Sequence, residues 1–137
     1  MKQLMLIFFL FSSFNCFYTP TGPAHTELGK EFDLQYGKKA VIGNENLYIT
    51  FKDVLNDSRC PIGFACLWAG NAEVLLKVQQ SNSDILIDTL NTASESPNLI
   101  YHNYNIMMKS LKPYPVADSV IKKKDYVVTL LVEKMIR

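Results

Sequence analysis

Apolar and polar residues alternate with period two in a series of short segments along most of the chain. The clearest alternation covers residues 32–36, 47–51, 72–78 and 104–108. Successive side chains of a β-strand point to opposite faces of the sheet, so this alternation predicts strands with one buried face. Residues 126–132 are apolar at both alternating sets of positions. That segment is therefore predicted to be a central strand covered on both sides.

Turn-forming residues separate these segments. They occur at residues 37–38, 43–46, 81–84 and 113–115. About six or seven short strands joined by such turns predict an all-β fold, either an antiparallel β-sandwich or a small barrel. The half-polar strand faces favour antiparallel over parallel pairing. A helix fits only in short pieces, near residues 119–124 or at the extreme C-terminal end.

The first residues have the pattern of a secretory signal. Lys2 precedes an apolar run at residues 4–11, and the small residues Ser12 and Ser13 follow it. The run is shorter than the about 20 apolar residues that a membrane-spanning helix needs. A buried N-terminal strand or helix is the alternative. The favoured division is a signal peptide, a tether rich in Pro, Gly and Thr, and a single β domain, at residues 1–15, 16–28 and 29–137.

The charge balance excludes some classes of partner. Removing residues 1–15 takes away one lysine and no acidic residue, which leaves 13 basic and 13 acidic residues. Nucleic-acid binding rests on Lys and Arg side chains that neutralise phosphates, and a neutral domain does not offer that footprint. The one basic run, residues 122–124, fits a solvated turn. The expected partner is therefore an envelope protein, peptide or glycan, with membrane contact only through a lipid anchor.

The three cysteines fit an oxidising compartment. Cys60 and Cys66 are close enough in sequence to pair, and Cys16 is left over directly after the apolar run. A bacterial lipoprotein signal places its acylated cysteine at this position, and residues 13–16 loosely resemble such a site. We predict lipidation of Cys16. Phe14 and Asn15 depart from that pattern, so secretion without an anchor stays open.

The segment 57–70 has a mechanical interpretation. Asp57 and Ser58 can accept or donate hydrogen bonds at the loop entry, and Pro61 favours a turn whose fourth residue would be Gly63. A disulfide between Cys60 and Cys66 would close seven residues and stabilise the fold by about 2.4 kcal/mol if the gain comes from reduced chain entropy.

Three further residues of this segment are assigned structural roles. Trp68 would share a face with Cys66 in an extended chain, so it is expected to pack against the disulfide as a core plug between two strands. Gly70 is small enough for another strand or the indole ring to approach closely. Arg59 is expected to form a salt bridge with Asp57 or Asp53, with presentation to a ligand as the alternative.

Candidate chemistry is sparse. Zinc sites need closer cysteine pairs and further ligands, and the chain offers only His25 and His102, so no metal site and no cofactor are predicted. A redox pair is more often C-x-x-C on a helix. His102, expected at the start of a strand, is the one candidate base within the domain. Asp53 and Asp57 flank one loop and are the candidates for a catalytic carboxylate pair. No catalytic residue is predicted.

The segment contains the motif Asp57-Ser58-Arg59-Cys60-Pro61, followed by four residues, Cys66, one residue and Trp68-Ala69-Gly70. This motif resembles the signature of a group of exported bacterial proteins regarded as lipoproteins. The similarity extends over most of the mature domain. It implies export and the Cys60–Cys66 disulfide, and it implies no catalytic residues because no activity is established for the group.

Three functions stay open at this level. The first is a non-catalytic exported envelope domain, lipid-anchored, with a binding or structural role. The second is an inhibitor-like domain that inserts the Cys60–Cys66 loop into a protein target, which requires Ile62 and Phe64 to be accessible. The third is an enzyme, which requires Asp53, Asp57, Arg59 and His102 to meet in one pocket.

Overall fold

The computed structural model describes residues 22–136. The predicted signal peptide, Cys16 and the first part of the predicted tether lie outside the described residues, so the predictions for them stay predictions. Within residues 22–136, no helix has the length and apolar character needed to cross a membrane.

Nine β-strands make up the described chain. They are β1 (Ala24–Thr26), β2 (Glu31–Gln35), β3 (Lys39–Ile42), β4 (Leu47–Asp57), β5 (Ala72–Gln80), β6 (Ile85–Asn91), β7 (Asn98–Tyr101), β8 (Tyr104–Lys112) and β9 (Val127–Lys134). Two single 3₁₀ turns, Gly43–Glu45 and Lys123–Asp125, are the only helical pieces between residues 22 and 136. The all-β prediction is confirmed.

The strands form two sheets. One sheet has the order β1-β3-β4-β5-β6, and the other has the order β2-β9-β8-β7. Neighbouring strands are antiparallel, except that β1 runs parallel to β3. The doubly apolar segment forms β9, which lies between β2 and β8 and confirms the predicted central position.

The core lies between the two sheets, as in a β-sandwich. Ala72, Val74, Leu76 and Val78 occupy alternate positions of β5, and all four are fully buried. Burying a Val or Leu side chain stabilises a fold by about 1.5–3 kcal/mol, so such alternating rows provide most of the driving force for folding. The intervening residues of β5 are only half-buried and form the outer face of the sheet.

The structure differs from the sequence prediction at three places. It adds the short strands β1 and β7, neither of which has a long alternating pattern. Because β1 pairs with β3, residues 24–26 belong to the sheet rather than to a free tether. His102 lies in the two-residue turn between β7 and β8, with φ +52°, and not at the start of a strand.

Candidate functional site

The connection between β4 and β5, residues 58–71, contains the cysteine motif, and its base is held by paired backbone bonds. Ser58 N donates to Asn71 O at 2.7 Å, and Cys60 N donates to Ala69 O at 2.7 Å. The Ser58 hydroxyl donates to the same Asn71 carbonyl at 3.0 Å. The two arms of the connection therefore continue the β4–β5 pairing beyond the ends of the strands.

Gly70 is required by this close approach of the two arms. Its φ is +68°, and a Cβ atom built on it would lie 1.8 Å from the Ser58 carbonyl oxygen. Any larger residue would force the two arms apart, since the obstructing atom belongs to the backbone. The group that approaches Gly70 is the Ser58–Arg59 backbone, whereas the sequence predicts another strand or the Trp68 ring.

Arg59 and Asp57 form a buried ion pair at the root of the connection. Arg59 Nε and one terminal nitrogen donate to the two Asp57 carboxylate oxygens at 2.8 and 2.6 Å. The two side chains are only 6% and 9% exposed. The hydroxyl of Tyr126 donates to the same carboxylate at 2.8 Å. The predicted partner of Arg59 is therefore Asp57, and the alternative Asp53 is excluded.

The guanidinium of Arg59 also fastens the connection to the segment after β8. Its remaining donors reach the carbonyl oxygens of Leu111 at 2.7 Å and Pro113 at 3.0 Å. The ring of Tyr114 stacks on it, with the guanidinium carbon 4.9 Å from the ring centroid. With Asp57, these contacts occupy both edges and one face of the guanidinium, so Arg59 holds the loop and is not presented to a ligand.

Titration behaviour follows from this burial. Burial raises the pKa of Asp57, but the hydrogen bonds from Arg59 and Tyr126 and the guanidinium charge outweigh it, so the pKa lies below its ordinary 3.8. Burial, and then the bond to Asp57, raises the pKa of Tyr126 to about 12. The carboxylate is therefore held ionised and the phenol neutral at physiological pH.

The disulfide and a turn close the tip of the loop. Cys60 and Cys66 are bonded as predicted, with their Cα atoms 5.9 Å apart. Phe64 N donates to Pro61 O at 3.1 Å, and Gly63 between them has φ +96°. The turn therefore begins at Pro61, one residue later than predicted, and Gly63 takes the third position, where type II turns require a positive φ.

A second segment, residues 113–117, supports the tip from the side. Ile62 N donates to Pro115 O at 2.9 Å, and Ala117 N donates to Ile62 O at 3.0 Å. These two bonds make a short parallel bridge between Ile62 and Val116. The loop tip is thus fixed by the disulfide, by Arg59 and by this bridge.

Large apolar side chains of the two segments face solvent. Ile62 is 61% exposed, Phe64 58%, Leu67 95% and Trp68 72%. Tyr114 and Val116 on the supporting segment are also exposed. We call these six residues the loop patch. Sequence reasoning missed the contribution of residues 114 and 116, because they lie in a Pro-rich connection without alternation.

The exposure of Trp68 corrects the prediction that it plugs the core. The chain bends at Leu67 and Trp68. The alternation of an extended chain, which would place Trp68 on the face of Cys66, therefore does not apply. The loop also bonds to residues 115–117 instead of folding across the open end of the sandwich. The indole consequently points away from the core.

The four candidate catalytic residues do not meet in one pocket, since only Asp57 and Arg59 are in contact. Asp53 accepts hydrogen bonds from Lys123, and His102 contacts Asp84 at 2.9 Å, while Asp57 is neutralised by Arg59. His25 is exposed on the edge strand β1. Over residues 22–136, no three His, Cys, Asp or Glu side chains are placed to hold a metal ion.

A groove of about 460 Å³ lies beside the loop patch. Its lining includes Ala69 and Gly70 from the loop, Thr92, Ala93 and Pro97 from the connection after β6, and Tyr114. The exposed apolar loop and this groove therefore form one continuous surface at the same end of the sandwich.

Comparisons with known protein families, with curated proteins and with solved structures found no match to this chain. The resemblance to exported lipoproteins therefore stays a prediction, and the geometry of the loop patch is what remains to indicate a function.

Proposed function

We propose that this protein is an exported, non-catalytic binding domain that inserts its loop patch into an apolar cleft of a protein partner in the cell envelope. The observation that carries the proposal is the combination of a rigid loop with large exposed apolar side chains. It joins two of the functions left open by the sequence, the envelope domain and the inhibitor-like loop. Ile62 and Phe64 are exposed to solvent, as the inhibitor-like function requires.

Rigidity favours tight binding because less conformational freedom is lost on association. Ordering a flexible side chain at an interface costs about 0.5–1.5 kcal/mol, and loops add further cost. Here the backbone of the loop is already fixed by the disulfide, by the Arg59 contacts and by the bridge to Val116. A partner would therefore meet a surface in its bound shape.

The chemistry of the loop patch fits a protein cleft better than a membrane surface. Residues 60–71 contain no charged side chain. Of the basic run at residues 122–124, Lys123 is paired with Asp53 at 2.7 Å. Binding to anionic lipids relies on clusters of free basic residues, whereas the centres of protein interfaces are uncharged and rich in Trp, Tyr and Phe. Trp68, Phe64 and Tyr114 supply these residue types.

The compartment is part of the proposal. The signal pattern at residues 1–15 and the Cys60–Cys66 disulfide support export, since disulfides persist in oxidising compartments. Acylation of Cys16 would attach the domain to a membrane. Intact mass spectrometry of the protein from its native host should give a chain that begins at Cys16 with added acyl mass. A mature chain that keeps residues 1–15 would contradict export.

Site-specific photo-cross-linking tests the binding surface. A photoreactive amino acid replaces Trp68 in one variant and Ile87 in a control, since Ile87 is also exposed but lies on β6, away from the loop patch. We expect one defined protein adduct in native cells from position 68 and none from position 87. Adducts to lipid alone, or the same adducts from both positions, would contradict the proposal.

A further inference from the structure

A second surface, unconnected with the loop patch, lies on the outer face of the five-stranded sheet. It is a groove of about 360 Å³ whose floor is made by Lys39, Tyr48, Thr50 and Lys77 on β3, β4 and β5. The turn between β5 and β6, with Ser81 and Asn82, closes one end. No acidic side chain in the range 22–136 lines the groove.

The strand register places two lysines on either side of a hydroxyl group. Lys39 is paired with Thr50, and Thr50 is paired with Lys77, so the three residues form one row across three strands. Adjacent strands lie about 4.8 Å apart, which separates the two lysine Cα atoms by about 10 Å. Side chains of this length can therefore converge on one anionic group above Thr50.

The two ammonium groups are free of carboxylate partners within the described part of the chain. Three lysines of the described residues have such partners: Lys30 pairs with Glu27, Lys123 with Asp53 and Lys134 with Glu45. Neither Lys39 nor Lys77 forms an ion pair with any residue in the range 22–136. Two unpaired positive charges on β3 and β5, one on each side of β4, attract an anion, and hydrogen bonds between ammonium and anionic oxygen are stronger than neutral ones.

The rest of the groove offers contacts suited to a sugar. The Nζ atom of Lys39 lies 5.2 Å from the centre of the Tyr48 ring, which holds the ammonium over the groove. Gln79 is in register with Tyr48, and its amide, like that of Asn82 in the turn, can bond to hydroxyl groups. A half-buried tyrosine surrounded by amides and hydroxyls can pack against a sugar ring and bond its edges.

From these contacts we propose that the groove binds an acidic carbohydrate, a sugar chain whose residues carry carboxylate or sulfate groups. Lys39 and Lys77 bind the anionic group, Thr50 donates a hydrogen bond between them, and Tyr48 and Gln79 contact the ring. The loop patch remains available for a protein partner, so the two surfaces can be occupied together.

Affinity electrophoresis with three polysaccharides tests the proposal: polygalacturonate carries carboxylates, dextran sulfate carries sulfates, and dextran is neutral. We expect retardation by at least one acidic polymer and none by dextran, and the acidic polymer that retards identifies the anionic group. Lys39→Gln with Lys77→Gln should weaken that binding at least about tenfold, the loss expected when two charge-assisted contacts disappear.

The matched control removes the same charge elsewhere. Lys109 and Lys112 line another surface groove, which also contains Glu31 and Asp33. Lys109→Gln with Lys112→Gln should leave binding within about twofold, a change small against the tenfold loss expected for the Lys39 and Lys77 pair. Tyr48→Leu should weaken binding of the polymer but leave binding of inorganic sulfate unchanged.

Three results would overturn the inference. The first is that neither acidic polymer retards the protein, and the second is that the two double lysine variants lose the same amount of polymer binding. The third is that inorganic sulfate competes for the groove as well as the polymer does at equal anion concentration. Trp68→Ala should not change carbohydrate binding. Carbohydrate binding can therefore be refuted while the proposed protein-binding function stands, and protein binding can be refuted while carbohydrate binding stands.

Discussion

Replacing Arg59 with methionine is expected to destabilise the domain by about 3–5 kcal/mol, the range measured when one partner of a buried ion pair is removed. The Asp57 carboxylate would keep its bond from Tyr126 but would lose both bonds from the guanidinium. The carbonyl oxygens of Leu111 and Pro113 would lose their donors as well.

Urea denaturation at pH 7 measures this loss. For an m-value of about 2 kcal/mol/M, the midpoint should fall by about 2 M. Asp57→Leu combined with Arg59→Met removes both charges, so the double variant should be more stable than the single Arg59→Met variant, although the Tyr126 hydroxyl loses its acceptor. A loss below about 1 kcal/mol in the single variant, or a double variant as unstable as the single one, would refute the reasoning.

The same ion pair predicts an acid-side pH dependence. The pKa of Asp57 is lower in the folded state than its ordinary value of 3.8, so its contribution to stability is complete above that pH. The contribution is lost as the pH falls through the folded-state pKa. The free energy of unfolding of the wild type minus that of the doubly substituted variant, both from urea denaturation, should therefore decrease below pH 3.8, and a difference that increases there would contradict the assignment.

Three further predictions concern other contacts of the loop and its root. Gly70→Ala should lower the free energy of unfolding, measured by urea denaturation, by at least about 2 kcal/mol. The added Cβ would overlap the Ser58 carbonyl, and the φ angle at this position is left-handed. An unchanged free energy would show that the close approach of the two arms does not hold the loop base. Replacing Cys60 and Cys66 by serine should lower the free energy of unfolding by about 2.4 kcal/mol, and an unchanged value would mean that the tip is held without the disulfide. Since the pKa of Tyr126 is raised from 10.0 to about 12, stability should decline as the pH rises from 10 to 12, and a spectroscopic titration of the phenol near 10 would contradict this.

The strands and the core could be predicted from the sequence because their pattern is local. Alternation at residues 47–51 and 72–78 reports which face of each strand is buried, and the doubly apolar segment 126–132 reports a central strand. The short strands β1 and β7 could not be predicted in this way. Three or four residues do not establish a period, and these strands exist because a longer neighbour supplies their hydrogen bonds.

The disulfide and the ion pair of the loop could be predicted from the sequence, but the exposure of its apolar side chains could not. The pairing of Cys60 with Cys66 and of Arg59 with Asp57 follows from short sequence separations. The orientation of Trp68 depends on a bend and on bonds to residues 115–117, which lie far away in sequence. The row that joins Lys39 to Lys77 arises in the same way, from strand register. Contacts between distant segments therefore decide which groups are presented for binding.

The affinity of the cross-linked partner, once purified, tests the central claim most directly. Isothermal titration calorimetry would compare the wild type with Trp68→Ala and with the control Ile87→Ala. If the loop patch forms the centre of the interface, Trp68→Ala should weaken binding by about thirtyfold, the effect of losing about 2 kcal/mol at a typical hot spot. Ile87→Ala should leave the affinity unchanged. Equal affinities for the wild type and Trp68→Ala would contradict the account.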